Sequence, residues 1–498
     1  MPRDVFPTLL LLLSLSVCGA SRVCLKDPES AYRFTGAVCR LTYPAAVVLN
    51  EKTTKVIEAA FQHARYPSVK GESSLLFIGK VIYGLDNLEI HNLSIGRSAF
   101  ELHPGEGIAL EIGNVSAVFK GSIQYGYGNW LVNFGNSIDF EIESQIDLGI
   151  NPKLYCREGK VAADTSDCYL HFHKLHLHLQ GNKEPNWLKR LFTDFITFTV
   201  KLAIKGQICK EINKVANILA DFIQDQADQF LSSGNISVDI GVTAAPVINA
   251  NYIESYHKGL TNYNNTTAVI NGSVFHPSQL TEDRMLYFWI SDQVLNPMVS
   301  AAHQDGQFQL NISGPELTDL FKTNLSSAMP EFMRKCLLES GSPELRVWSS
   351  SVPYLNTSTS GTTVRGTASG QLHCGTPTLF FKTDVVIDVT ASYADKKVFL
   401  RGNQSEVSVL QAELSLQNQT LLDEDHIEFI REAVKKIGIP KVLSALEIEL
   451  TRLLDKQGTN LFDIFNPEVL PQDGFVVMQM DFGFPHHLLT DFLKKTLQ

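Results

Sequence analysis

The sequence predicts an α+β fold in two similar halves, each a large curled antiparallel sheet carrying helices. Three observations predict it: long stretches of strict apolar/polar alternation, a few helical segments between them, and an element order that occurs twice. In residues 138–150, Ile138, Phe140, Ile142, Ile146, Leu148 and Ile150 share one face, and Asp139, Glu141, Glu143 and Asp147 share the other. Such a strand runs about 43 Å, beyond the usual length. Ile108, Leu110 and Ile112, then Ala117, Phe119, Gly121 and Ile123, form a second stretch, with a phase change near Gly113 that predicts a β-bulge. Long strands with one apolar side curl that side inward, as a barrel or trough.

The elements follow in order. Arg3, the apolar run Leu9–Leu15 and the small residues Cys18-Gly19-Ala20 read as a secretory leader over residues 1–20, with the mature chain starting near Ser21. Lys52–Arg65 carries Val56, Ile57, Ala60, Phe61 and Ala64 at helical spacing. After the long strands, Pro185–Leu231 is a long apolar helix that Gly206 bends or interrupts. Asn262–Pro277 reads as the connection between halves. The order then recurs: a short helix over Ile290–His303, strand-like segments, a helix over Glu424–Lys456 broken near Gly438-Ile439-Pro440, and a strand over Phe475–Phe482. Ser349–Gly370, rich in Ser, Thr and Gly, reads as an exposed loop with ragged strands.

The last fourteen residues, Pro485–Gln498, place Leu488, Leu489, Phe492, Leu493 and Leu497 on one helical stripe. Such a helix is about 20 Å long. It is too short to span a bilayer or to be stable alone in water. It needs an apolar surface, either its own protein or a lipid interface.

Composition narrows the function. The chain has 498 residues and a formal net charge of −11, which argues against a nucleic-acid partner. After the leader no run of 18 apolar residues occurs, so no transmembrane helix is expected. Eleven N-x-S/T sequons support an extracellular glycoprotein, and we assign glycans to Asn114, Asn265 and Asn418. Seven cysteines follow the leader, an odd number that leaves at least one thiol without an intramolecular partner.

Catalysis is not expected, and neither is a cofactor. The chain holds no G-x-S-x-G elbow, H-E-x-x-H, P-loop or dinucleotide fingerprint. His171, His173, His176 and His178 invite a metal hypothesis. Alternation puts two on each side of a strand, too few for a closed zinc site, so no metal is assigned. Ser255 and His257, two apart in Tyr252–Lys258, share one face of a strand. That face is either solvated or the edge of a cavity touching an ester or headgroup.

Several stretches together resemble the family of bactericidal/permeability-increasing and lipopolysaccharide-binding proteins. They are Leu49–Glu51 with Thr54–Gln62, Ser137–Ile142, Leu179–Gly181, Lys205–Asn213 (KGQICKEIN), Arg284–Trp289 and Gln479–Pro485. The likeness covers almost the whole mature chain, densest through residue 260 and at the C-terminus, and the amphipathic tail narrows it to the neutral-lipid transfer branch. The resemblance implies an elongated boomerang: two curled antiparallel β-barrels, each with helices, joined by a central β-sheet and traversed by a long hydrophobic tunnel. Its domains would be 21–261, a linker over 262–280, 281–484 and the tail helix 485–498. It implies a Cys168–Cys209 disulfide, lipid contacts at Gln224, Ser255, His257 and Cys39, and a tunnel gate formed by Leu488, Leu489, Phe492 and Leu493. Gln226 stands where the family pattern has an arginine, removing a cationic partner for a headgroup. The implied activity is exchange of cholesteryl ester and triglyceride, with some phospholipid, between high-density and lower-density lipoproteins by a secreted plasma monomer. The runners-up are a phospholipid transfer or lipopolysaccharide-binding relative and, behind them, a secreted lipase or acyltransferase.

Overall fold

The computed structural model of the chain describes residues 24–26, 32–48, 50–51, 54, 58, 66, 68–75, 79–127, 136–180, 197–198, 200–210, 212–214, 217, 234–275, 283–324, 329–336, 343–374, 378–395, 397–415, 423–455 and 463–483. They form an elongated α+β molecule of three main antiparallel sheets with separate cores.

The N-terminal sheet runs in the order Val69–Leu75, Gly79–Ser94, Gly107–Tyr127, Asn136–Ile150, Cys168–Gln180, and Arg97–His103 pairs back onto Gly107–Tyr127. The alternation explains its shape. Ile112, Phe119, Ile123, Phe140, Ile142 and Ile146 are buried on the inner face, around Val200, Ile204 and Ile208 of a helix. Those three recur every four residues, so one helical stripe fills the concavity. Register shifts interrupt the pairing between Ile112 and Val115, where the sequence changes phase at Gly113, and between Gln145 and Ile146. Such bulges sharpen the twist and bend the strands around the helix.

The C-terminal half carries a sheet in the order Gln309–Ser313, Glu344–Ser349, Gly361–His373, Thr378–Ala394, Lys397–Leu414, with Tyr354–Ser358 paired to Gly361–His373. The helices Glu424–Ala433 and Ile439–Asp455 and the turn between them cover it, packing Phe429, Ile430 and Ile437 against Ile312, Leu372 and Leu379. The expected break near Gly438 is a π turn, Val434–Gly438. Pro440 follows directly in the continuous helix, and its lack of an N–H to donate to the preceding turn fits the widened turn there.

Several expectations are corrected. Instead of two barrels, the described residues hold one curled half-barrel, in the N-terminal half. Its strand path ends at two edges that do not pair with each other. Ser349–Gly370 is no loose loop: Tyr354–Ser358 and Gly361–His373 form a hairpin, pinned where Asp292 accepts from Thr357 N and Oγ1 at 2.7 and 2.6 Å. Cross-strand pairs stabilise Ser/Thr-rich strands that composition reads as loop. Asn262–Pro277 begins inside a three-stranded sheet through Leu260–Tyr263 and Thr266–Thr267. Ile290 lies in the strand Leu286–Ser291 rather than starting a helix, because Ser291 caps Asp292–Gln304 by accepting from Gln293 N.

The four histidines also depart from simple alternation. Asp147 pairs with His171, Glu143 with His176 and Glu141 with His178, and the bulge leaves His173 extra. All four are exposed on the outer face. His173 contacts Asp147, and this contact first, then the Asn114 N–H, holds the Asp147 carboxyl below its usual range. No group of three potential ligands able to hold a metal ion occurs among the described residues.

Candidate functional site: an apolar face on the central sheet

The third sheet draws strands from both halves of the chain. Its order is Val247–Ile248, Tyr252–His257, Ala37–Thr42, Leu286–Ser291, Phe475–Gly483, Asp463–Gln472. Directly paired residues share a face. One row reads Ile253, Leu41, Leu286, Met480; a second Ser255, Cys39, Phe288, Met478, Val469; a third His257, Ala37, Ile290, Val476, Pro471. Every member of these rows is partly exposed. Only Ser255 and His257 among them have polar side chains apart from the Cys39 thiol.

The opposite face contains the charges and is buried at its centre, from Glu254 through Val38, Arg40, Tyr287 and Trp289 to Val477. Arg40 and Glu254 are directly paired and 2 % and 3 % exposed. Arg40 Nε and Nη2 donate to Glu254 Oε2 at 2.7 and 2.6 Å, and Tyr256 Oη donates to Oε1 at 2.7 Å. The guanidinium lies 3.8 Å from the centroid of the Tyr252 ring and 5.4 Å from that of Trp289, which stacks on Tyr287. The pair is therefore hydrogen-bonded on both sides and flanked by aromatic faces, the condition under which a buried ion pair persists.

On the exposed face, His257 Nδ1 lies 2.7 Å from the Ile240 carbonyl, and Nε2 lies 2.8 Å from Ser255 Oγ. A carbonyl only accepts, so Nδ1 carries the proton and Nε2 accepts from the serine hydroxyl. Burial lowers the His257 pKa, with the Ile240 bond opposing it, so the ring is neutral at pH 7. A backbone carbonyl occupies the place a catalytic carboxylate would take, so the pair lacks the third member of a hydrolase triad. Cys39, the free thiol among the described residues, pairs with Ser255 across the ladder. Its pKa is pushed up to about 12, by burial first and the Glu254 charge second. It is a neutral, unreactive thiol on an apolar surface.

The structure thus brings Cys39, Ser255 and His257 into one cluster. Gln224, Gln226, Leu488, Leu489, Phe492 and Leu493 lie outside the described residues, as does Asn418. Asn114 and Asn265 are exposed with positive φ of 54° and 61°, Asn114 at the bulge within Gly107–Tyr127 and Asn265 in a turn. Sequence reasoning missed Phe288, Val476 and Met478, which lie on this apolar face. Their alternation, in Leu286–Ser291 and Phe475–Gly483, is apolar on both sides and does not say which side faces out. Three disulfides are present: Cys24–Cys156, Cys168–Cys209 and Cys336–Cys374.

A helix-filled half-barrel, joined through a shared sheet with an apolar face to a second α/β half, defines a two-half α+β protein with hydrophobic surface at its waist. The chain belongs to the LBP / BPI / CETP family: the N-terminal domain model of that family matches residues 48–224 and the C-terminal domain model residues 232–428. It is 42 % identical to the cholesteryl ester transfer protein of Gallus gallus over 479 residues, 94 % of each chain. It is also 42 % identical to that of Homo sapiens over 497 residues, 97 % of this chain and 98 % of the relative. The lipopolysaccharide-binding protein of Mus musculus is 24 % identical over 313 residues, 61 % of each chain.

Proposed function

We propose that this protein is a secreted lipid transfer protein that exchanges cholesteryl ester and triglyceride, with some phospholipid, between lipoprotein particles without chemical conversion. The observation that carries this reading is the partly exposed apolar face of the central sheet, polar only at Ser255 and His257. A neutral imidazole and a hydroxyl can meet an ester without the cost of burying a charge. Likeness to two cholesteryl ester transfer proteins over nearly their whole lengths supports the substrate class. The three disulfides fit an oxidising, extracellular setting.

The physical need is plain. At about 0.8 kcal/mol per CH₂, exposing an eighteen-carbon chain costs more than ~10 kcal/mol. An apolar path removes most of that barrier, and the exchange runs passively down lipid gradients. In this reading the domains divide as 21–261, 262–280 and 281–484. A tunnel follows the apolar face and Gln224 lies on its wall. The 485–498 helix, through Leu488, Leu489, Phe492 and Leu493, covers one opening. The molecule works as a monomer, with glycans at Asn114, Asn265 and Asn418.

Organic extraction of the purified chain tests the class: cholesteryl ester, triglyceride and phospholipid are expected. Incubating labelled high-density and lower-density particles with the protein tests the activity. Intact ester in both particles is expected; release of fatty acid, or no exchange, refutes the proposal. A 1–484 truncation that transfers neutral lipid undiminished removes the gate.

A further inference from the structure

The helix that fills the half-barrel has a second face. Val200, Ile204 and Ile208 are buried inside the sheet. Phe198 and Leu202, one turn apart, are 64 % and 61 % exposed. Around this apolar pair the helix is basic. Lys205 and Lys210 are exposed, and the Lys201 ammonium lies 5.5 Å from the centroid of the Phe172 ring. Residues 197–217 contain four lysines (201, 205, 210 and 214) and one acid, Glu211, which lies outside the described residues, in a chain of net charge −11. The helix is also held against rolling. Cys209 is bonded to Cys168 on the edge strand, and Asn213 Oδ1 accepts from Thr165 N and Oγ1 at 3.3 and 3.0 Å.

We propose that this outward face docks on the surface of a phospholipid layer carrying anionic headgroups. Phe198 and Leu202 enter the acyl boundary while Lys205 and Lys210 meet phosphates, with Lys201 at the margin. Both features are needed to choose the partner. An acidic peptide would satisfy the lysines and leave two large apolar side chains in water; an uncharged lipid surface would leave the local positive charge unused. An apolar stripe flanked by lysines matches an interface with both properties. The inference goes beyond lipid exchange, because it concerns where the molecule touches a lipid particle and not what passes through it.

The test is co-sedimentation of the full secreted chain with vesicles of phosphatidylcholine, alone or containing one-third phosphatidylserine. Binding is expected to favour the anionic vesicles and to weaken with salt. Phe198→Gln with Leu202→Gln is expected to weaken binding to both vesicles by more than about tenfold. Lys205→Gln with Lys210→Gln is expected to weaken binding to anionic vesicles by about fivefold per lysine and to abolish the salt dependence. All four side chains are exposed, so unchanged circular dichroism and thermal midpoint verify the fold. Binding by the Phe198/Leu202 variant within twofold of the parent overturns the proposal, as does salt-independent binding that ignores phosphatidylserine. The readout is partition, so a chain that binds this way yet transfers nothing would refute the transfer reading and leave this one intact.

Discussion

Both faces of the central sheet are largely apolar, and only the more buried one carries charged side chains. The buried face holds an ion pair, Arg40–Glu254, with Tyr252, Tyr256, Tyr287 and Trp289 around it. The partly exposed face holds Leu41, Leu286, Phe288, Ile290, Val476, Met478 and Met480. The exposed face of a solvated antiparallel sheet is normally polar, so the apolar one is the departure. The difference teaches what each face does. The charged face fixes which strand pairs with which and in what register, because a one-residue slip would leave two buried charges unpaired and turn every side chain over. The apolar face stays partly exposed, and in the proposed function it is the surface that meets hydrophobic ligand.

The largest expected effect comes from breaking the buried face. Glu254→Gln leaves Arg40 as an uncompensated buried charge and should destabilise by about 3–5 kcal/mol in urea unfolding. The double variant Arg40→Met/Glu254→Met should recover most of that loss. Equal instability of single and double variants would mean the pair is not coupled. Next comes the apolar face. Phe288→Gln with Met478→Gln should reduce co-purified neutral lipid severalfold while changing stability by about 1 kcal/mol or less, since both positions are partly exposed. A loss of stability matching that of Glu254→Gln would erase the distinction between the faces.

A smaller effect concerns pH. His257 has a lowered pKa in the folded protein, so below the ordinary histidine pKa of about 6.5 the unfolded chain binds more protons than the folded one. Its contribution to stability is present above that pH and lost as pH falls. His257→Gln should therefore flatten the decline in stability between about pH 7 and pH 5, as followed by denaturant midpoints; an unchanged slope would place the acid sensitivity elsewhere. The smallest effect is chemical. Cys39 should resist alkylation at pH 8 in the native protein and react once unfolded, read by mass spectrometry, because burial and Glu254 disfavour the thiolate.

Much of this was legible locally. The one-sided strand at residues 138–150, the bulge at Gly113 and the interruption at Gly438 follow from spacing within a single segment. The shared orientation of His171, His173, His176 and His178 was not legible, because the bulge that resets their phase belongs to a pairing with Asn136–Ile150. Ser255 and His257 were visible as neighbours on a strand, but a strand does not state which of its faces will be buried.

The sequence by itself determined the alternation, the helical stripes, the acidic charge and the odd thiol, all set by chemistry within a few residues. Only the tertiary structure decided that Arg40 meets Glu254 across a separation of 214 residues, and that Cys39 lies between Ser255 and Phe288. The reason is physical. A strand's period of two divides its residues into two faces, but the distant strands that bury one of them decide which becomes core and which stays partly exposed.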